Sequence, residues 1–387
     1  MKKILIIGPF GNKGGRDFEA QLIASSLEKS FEIGLLSTGY ISQSYERLDI
    51  LKKTQIKSLN KLLFKRYLIY RIIAYVGYLK NGFKKSPEAF INSKISKKYL
   101  NFEQNRINEL ENQIKKNDFV FLVVQLTSKF VHESLTLCAK YKIPCVIRTT
   151  GTIQNFDDSL RASFEKAACF IHHSERNAKN LLKYFKHNYK IIDQCAIGEE
   201  ILLRLPIDIK KPLRFGYLGR LSPEKQIVEL AQFFNSINDP LIIAGEGPLE
   251  EEVNHFSNTG KNIDYIGFVD RNNLDDFFNK IDVLIVSSKE EAGPLVALEA
   301  MAAGKILITT NVGAMKERIK GYTIPFLDTD FKNLQQILDY LNDCEIPQLN
   351  DFALFLRKKY SDFYAINTIK DSYFNLVNNI LIENAHR

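Results

Sequence analysis

Ile281-Asp282-Val283-Leu284-Ile285-Val286-Ser287-Ser288-Lys289-Glu290-Glu291-Ala292-Gly293-Pro294-Leu295-Val296-Ala297-Leu298-Glu299-Ala300-Met301-Ala302-Ala303-Gly304-Lys305-Ile306-Leu307-Ile308 reads as strand, loop, helix, strand. An apolar run rich in Ile, Val and Leu fits a strand buried on both faces. A polar loop follows, Pro294 sits where proline opens a helix, and Gly304 closes that helix before a second apolar run. Such a unit implies two parallel strands joined by a right-handed crossover.

The pattern extends outward. Short apolar runs recur at 4–7, 119–124, 145–147, 215–218, 241–244, 283–286 and 306–308, and helical periodicity occupies 18–27, 102–114, 131–141, 175–184, 224–234, 295–303 and 331–341. Regular alternation predicts an α/β chain with doubly wound parallel sheets. It runs twice, broken at 199–212, where charges, Pro206 and Pro212 replace strand residues. The expected domains are therefore 1–205 and 206–363, each with a crevice at its strand carboxyl ends where a ligand would sit. One long helical pattern at 360–381 carries Phe363, Tyr364, Tyr373 and Phe374. It makes 364–387 a terminal helix, either packing back across the domains or serving one core.

At 387 residues, 45% apolar and 25% charged, the chain can bury a sizeable core and has neither a disordered nor a fibrous composition. Cys138, Cys145, Cys169, Cys195 and Cys344 are odd in number and never form a CxxC pair. That argues against a disulfide framework or a zinc cluster and for a reducing compartment. The first apolar run stops at Gly8 without a cleavage site. The nearest approach to a spanning segment, 62–79, contains Lys65, Arg66 and Arg71. A cytoplasmic protein is expected, peripheral at most on the inner face of a membrane.

Chemistry-bearing residues collect at strand ends. Glu291 stands on the loop after 281–286 and Glu299 on the second turn of the next helix. With backbone N–H groups at the helix start they suit a polyhydroxylated, partly anionic ligand, although two solvated acids fit the pattern equally. After 215–218 comes Gly219-Arg220-Leu221-Ser222-Pro223-Glu224-Lys225, with Ser222 and Pro223 expected as N-cap and first residue of a helix. Gly219 permits close backbone approach. Arg220 and Lys225 are either two solvated cations or a diphosphate site. Ala244-Gly245-Glu246-Gly247-Pro248 and Gly8-Pro9-Phe10-Gly11-Asn12-Lys13-Gly14-Gly15 repeat the strand-to-glycine turn. The second lacks G-x-G-x-x-G spacing and a ribose-binding acid about 20 residues on, which argues against a nicotinamide dinucleotide.

Taken in order, Phe215 to Lys225, Ile242 to Pro248, Tyr265-Ile266-Gly267-Phe268-Val269, Ser287-Ser288 and Glu291 to Gly304 resemble the second half of the retaining glycosyltransferases of family 4, glycosyl transferases group 1. The resemblance is specific over about 213–317 and looser over the first 200 residues. It implies the GT-B fold, two Rossmann-like domains facing across a cleft, with an acceptor in the first and a UDP- or GDP-linked sugar in the second. No cofactor and no metal are implied. Arg220 and Lys225 would hold the donor diphosphate, Glu299 the ribose hydroxyls, and Glu291 the donor sugar near the reacting carbon. Gly219, Gly293, Pro294 and Leu295 would line phosphate and sugar, Phe268 and Val269 the base, and Gly14 and Gly15 would approach the phosphate from the first domain.

Three positions depart from the family. Its His-Gly pair stands here as Arg148-Thr149-Thr150-Gly151, which leaves acceptor-side roles to Arg148, Thr150 or His173. Its Pro-Asn-Gly is Ala196-Ile197-Gly198-Glu199, and the Gly after the diphosphate lysine is Gln226. Asp328-Thr329-Asp330 reads as a turn and N-cap rather than a metal site.

Between Lys52 and Lys98 stand thirteen Lys or Arg against one acid, Glu88, interleaved with Phe64, Tyr67, Tyr70, Tyr75, Tyr78 and Phe83. No RNA module surrounds this basic segment, 52–98, so nucleic acid is not an expected partner. A basic surface lying on anionic lipid fits, with a lipid-linked saccharide as acceptor; a solvated insertion is the plainer alternative. The resemblance implies a glycosyltransferase, expected to act in cell-surface polysaccharide assembly. The alternatives are another GT-B sugar-nucleotide enzyme, an epimerase or phosphorylase, or a non-catalytic membrane scaffold.

Overall fold

Among the described residues, twelve strands carry the architecture. The computed structural model describes residues 1–11, 15–41, 56–153, 156–237, 239–260 and 262–385; Gly14, Lys52 and Lys53 lie outside them. The chain divides into two compact units. The first is Met1–His172, Ala178–Ile192 and Lys370–Arg387; the second is His173–Asn177 and Asp193–Ile369.

In the first unit β1 (Lys3–Gly8), β2 (Glu32–Ser37), β3 (Ile56–Ser58), β4 (Phe119–Val124), β5 (Cys145–Thr149), β6 (Cys169–His172) and β7 (Tyr189–Ile191) form one sheet ordered β3-β2-β1-β4-β5-β6-β7. Every pairing is parallel. The most apolar strands, β1 and β4, lie side by side at the centre, with Ile4 opposite Phe119 and Ile7 opposite Leu122. Beyond the runs read from the sequence, this sheet also takes in β2, weakened by Gly34, β6, and the three-residue edges β3 and β7, where packing on one side suffices.

The second unit holds β8 (Phe215–Leu218), β9 (Leu241–Ala244), β10 (Ile263–Tyr265), β11 (Val283–Val286) and β12 (Ile306–Thr309), parallel throughout in the order β10-β9-β8-β11-β12. Alternation splits its core. Phe215, Tyr217, Ile243, Val283, Ile285, Ile306 and Ile308 enter one apolar layer; Ala244, Leu284, Val286 and Leu307 enter the other with Ala297, Leu298 and Met301. This is the double burial that continuous apolar strands require.

Three of the sequence expectations are corrected by the fold. The division falls at Ile192/Asp193, not within 199–212, because the helix Glu199–Leu203 sends Leu202 into the second unit's core. The pattern at 360–381 is two helices, Ile346–Phe363 and Ile366–Ala385, broken where Glu199 accepts both the Tyr360 hydroxyl and the Ile366 N–H. Helices expected at 224–234 and 331–341 begin one turn later, at Ile227 and Leu334. The basic segment contains the helices Leu59–Arg66, Leu68–Lys80 and Lys94–Tyr99. All five cysteines are buried free thiols, and no helix among the described residues is long and apolar enough to cross a membrane.

Candidate active site

Loops at the carboxyl ends of β8, β9 and β10 enclose a cleft of about 520 Å³ in the second unit, lined by Gly219, Arg220, Gly245, Phe268 and Val269, with Glu246 and Glu250 also in its wall. Gly245 makes the loops meet. Its φ is +140°, and a Cβ there would stand 1.8 Å from the Gly219 carbonyl oxygen, so only glycine fits. The Arg220 guanidinium is exposed and, among the described residues, has no hydrogen-bond or ion-pair partner.

Lys225 and Glu291 come together although 66 residues separate them. The Lys225 ammonium donates to Glu291 Oε1, which also accepts the Ser288 hydroxyl at 2.9 Å. Both charged side chains are about four-fifths buried. Backbone atoms stitch the same two loops: Ser287 Oγ donates to the Lys225 carbonyl at 2.7 Å, and the Lys289 N–H to the Glu224 carbonyl at 2.8 Å. Glu291 is therefore no solvated loop acid.

The expected cap at Ser222 is not made. Residues Pro223–Lys225 form a short 3-10 turn, and the Ser222 hydroxyl turns to the Glu224 carboxylate at 2.6 Å. Gln226 then takes φ +56° before the helix Ile227–Ser236, a conformation that favours glycine. Its side-chain amide donates to the Thr329 carbonyl at 2.8 Å, which holds the strained residue. Gln226→Gly is expected to stay within about 1 kcal/mol of wild type, losing the bond but relieving the backbone. Gln226→Ala, which loses the bond and keeps the strain, should melt lower in the same thermal denaturation. Asp328 and Asp330 sit in a turn closed by Phe331 N–H to the Asp328 carbonyl; Asp330 pairs with Lys332, and the residue before the helix Leu334–Asp343 is Asn333, not an aspartate.

Glu299 lies on the helix Leu295–Ala302 and is only 6% exposed. Burial pushes its carboxyl up to about 7, offset in part by Arg271 and by the Ile197 N–H that it accepts. It is a titrating acid at neutral pH rather than a surface one.

Residues 291–295 owe their geometry to partners that sequence reasoning missed. Asn177 Nδ2 donates to the Ala292 carbonyl at 3.2 Å, and Arg318 Nη1 donates to the Pro294 carbonyl at 2.5 Å. Across a trans peptide, C=O and the following N–H point in opposite directions. Holding these two carbonyls inward therefore turns the N–H groups of Gly293 and Leu295 the other way, and neither makes a hydrogen bond among the described residues. Arg318 is wholly buried and paired with Asp193 through two bonds of 2.7 and 2.8 Å. Burial alone would raise the Asp193 carboxyl; Arg318, and then His173 at 3.7 Å, hold it well below the usual range. Gly293 is required because a Cβ there would meet the Arg318 guanidinium at 2.8 Å. His173 thus belongs to this supporting network. No local signal could reveal partners 115 and 125 residues apart.

In the first unit Arg148 is fully buried, donating to Glu19 at 3.0 Å and to the Ile192 carbonyl at 2.6 Å. Its guanidinium is committed to the core, which corrects the acceptor-side expectation. Thr150 is part-exposed and accepts from Arg16 Nε at 3.3 Å. Gly15 opens the helix Gly15–Leu27 with nothing within 4 Å of where a Cβ would stand.

The chain is similar to several known proteins. Residues 205–345 match the family model described as glycosyl transferases group 1. An uncharacterized glycosyltransferase of Methanocaldococcus jannaschii is 25% identical over 240 residues, 57% of this chain and 66% of that one. A Bacillus subtilis protein whose name places it among teichuronic acid biosynthesis glycosyltransferases is 31% identical over 119 residues, 30% of this chain and 29% of that one. The matches thus span less than two thirds of either relative. Among solved structures, Anabaena HepE in complex with UDP-glucose superposes with TM-score 0.70 at 15% identity, covering 98% of this chain and 100% of that one. The lipopolysaccharide outer core galactosyltransferase WaaB superposes at 0.67 and 15%, covering 98% and 99%. The chain has the GT-B fold, and its residues 205–345 are similar to glycosyl transferases group 1.

Proposed function

We propose that this chain transfers a sugar, with retention of anomeric configuration as in family 4, from a nucleoside-diphosphate donor to a hydroxyl of a glycan or lipid-linked saccharide during polysaccharide assembly. The observation that carries the reading is the Arg220 guanidinium, unpartnered among the described residues, in the wall of a cleft, with Lys225 five residues further along and paired to Glu291, all within the segment that matches the glycosyl transferase group. When the bond from the sugar to the diphosphate breaks, its electron pair stays on the diphosphate. Fixed cations where that charge grows lower the barrier, and Arg220 and Lys225 supply them without a metal. Gly293 and Leu295 N–H groups would add donors at a helix start. Glu299 would accept the ribose hydroxyls, Glu291 would contact the sugar, and Gly219, Phe268 and Val269 would line phosphate and base. Gly15 and Thr150 remain candidates on the first unit, and the acceptor hydroxyl must lose its proton as its oxygen takes the sugar.

A thermal-shift screen against UDP, GDP, ADP, CMP and their sugar conjugates, with and without EDTA, tests this, because a ligand of the folded state raises the midpoint. One nucleoside diphosphate should raise it, unaffected by EDTA, and Arg220→Ala should abolish the rise. No response to any nucleotide would overturn the reading.

Glu299 adds a pH dependence. An acid whose pKa the fold raises holds its proton more tightly folded than unfolded, so the ligand-free protein loses stability as pH climbs from the ordinary carboxyl range through about 7. Donor binding runs the other way, since only the carboxylate accepts two hydroxyls. Donor affinity should fall as pH drops from about 8 to about 6, and Glu299→Gln should be weaker and flat across that range. Titrations of donor at several pH values check this; an unchanged wild-type affinity would remove Glu299 from the ribose.

A further inference from the structure

The helix Leu68–Lys80 has two apolar faces, and only one is covered. On the inner face Tyr70 and Ala74 are buried, the Tyr70 hydroxyl donates to the Leu100 carbonyl at 3.0 Å, and Gly77 leaves no room for a Cβ, which would stand 2.6 Å from the Phe90 Cβ. The outer face presents Leu68, Ile69, Ile72, Tyr75, Val76 and Leu79, each 46% to 69% exposed. Their spacing of three and four is one continuous helical stripe. An apolar stripe of that size on a firmly seated helix calls for an occupant.

Charge selects the occupant. Residues 57–98 carry eleven Lys or Arg against Glu88 alone. A second copy of the chain would bring this same cationic surface against itself in a two-fold contact. Single-stranded nucleic acid stacks on aromatic rings, whereas this stripe is mostly Leu, Ile and Val. An anionic bilayer satisfies both features, taking the aliphatic side chains among its acyl chains and the ammonium groups among its head groups. Thirteen residues span about 20 Å, too short to cross a hydrocarbon layer of about 30 Å, and the covered inner face fixes the helix flat. Lys80, Lys84 and Lys85 are exposed at its carboxyl end, while Arg71 turns back onto the Phe64 and Lys65 carbonyls.

We propose that the outer face of Leu68–Lys80 inserts into the interface of an anionic membrane, lying in its plane, with the flanking lysines on lipid phosphates. The proposal stands on this surface alone and does not depend on the transferase reading.

The test is co-sedimentation of the full chain with vesicles of phosphatidylcholine alone and of phosphatidylcholine mixed with phosphatidylglycerol. Binding to the anionic vesicles is expected, with at least about tenfold loss in an Ile72→Ser, Leu79→Ser double variant whose melting midpoint matches wild type. The chain contains no tryptophan, so Tyr75→Trp creates a single reporter whose emission should shift to shorter wavelength on anionic vesicles. Absence of binding, an unmoved emission, or binding that salt abolishes while the double variant keeps it would overturn insertion. A concentration-dependent dimer that buries the reporter without lipid would assign the stripe to a second copy and equally overturn it.

Discussion

Arg318→Ala is expected to unfold about 3–5 kcal/mol more easily than wild type, the cost of leaving one partner of a buried ion pair alone. Asp193 would then be a buried carboxylate without the guanidinium that holds it ionised. The loss reaches the candidate site, since the same guanidinium fixes the Pro294 carbonyl and packs on Gly293. Arg318→Lys keeps a charge but cannot form the two-pronged bond to Asp193 and reach Pro294 together, so intermediate stability with impaired donor binding is expected. Asn177→Ala separates the two effects: it removes only the bond to the Ala292 carbonyl, costing about 1 kcal/mol of stability while raising the donor KM. Chemical denaturation with donor titration on the three variants decides the matter. Wild-type donor affinity in Asn177→Ala and Arg318→Lys would show that these contacts hold the fold without shaping the anion site.

The second large effect is at Arg220. Arg220→Ala should lower kcat/KM by about 10²–10³-fold, the usual loss when one fixed donor to developing charge is removed. Stability should hardly change, because the side chain is exposed and bonds to no described residue. Lys225→Ala should differ in kind, losing activity and also stability, because it strips the cation from a mostly buried Glu291. Melting midpoints and steady-state kinetics on both variants provide the comparison. An Arg220→Ala enzyme with wild-type kinetics would remove the diphosphate from this cleft.

The legible part of the fold was the part where local chemistry and tertiary environment agree. The runs at 119–124, 215–218, 241–244 and 283–286 are strands at those bounds because residues buried on both faces must be apolar throughout. Pro294 and Gly304 bracketed a helix by their own backbone restrictions. Edge strands such as β7 escaped because one-sided burial leaves Tyr189-Lys190-Ile191 without a pattern. In the site, Glu291, Glu299, Arg220 and Lys225 stand on strand-end loops and the helix that follows, where adjacent residues announce one another. Arg148 misled because an arginine beside a glycine turn looks the same in sequence whether it faces a ligand or Glu19. The Asn177, Asp193 and Arg318 contacts were out of reach, since they exist only once distant segments have packed. Gln226 was visible as a departure, but its reason, a left-handed backbone tied to Thr329, is tertiary.

The chain returns to its first unit with residues 178–192 and again with 370–387. In that last segment the Tyr373 hydroxyl donates to Glu19, the same carboxylate that takes Arg148 Nε. A gene fragment ending at residue 192 would therefore encode this unit without a ring and a hydrogen-bond donor from its centre. A chimera spliced at one point would likewise match each tail with a foreign core. Exchange of 193–369 between relatives, by engineering or by recombination, requires two crossovers, one beside Asp193 and one beside Ile369, and leaves 173–177, with the Asn177 contact to Ala292, to the recipient chain.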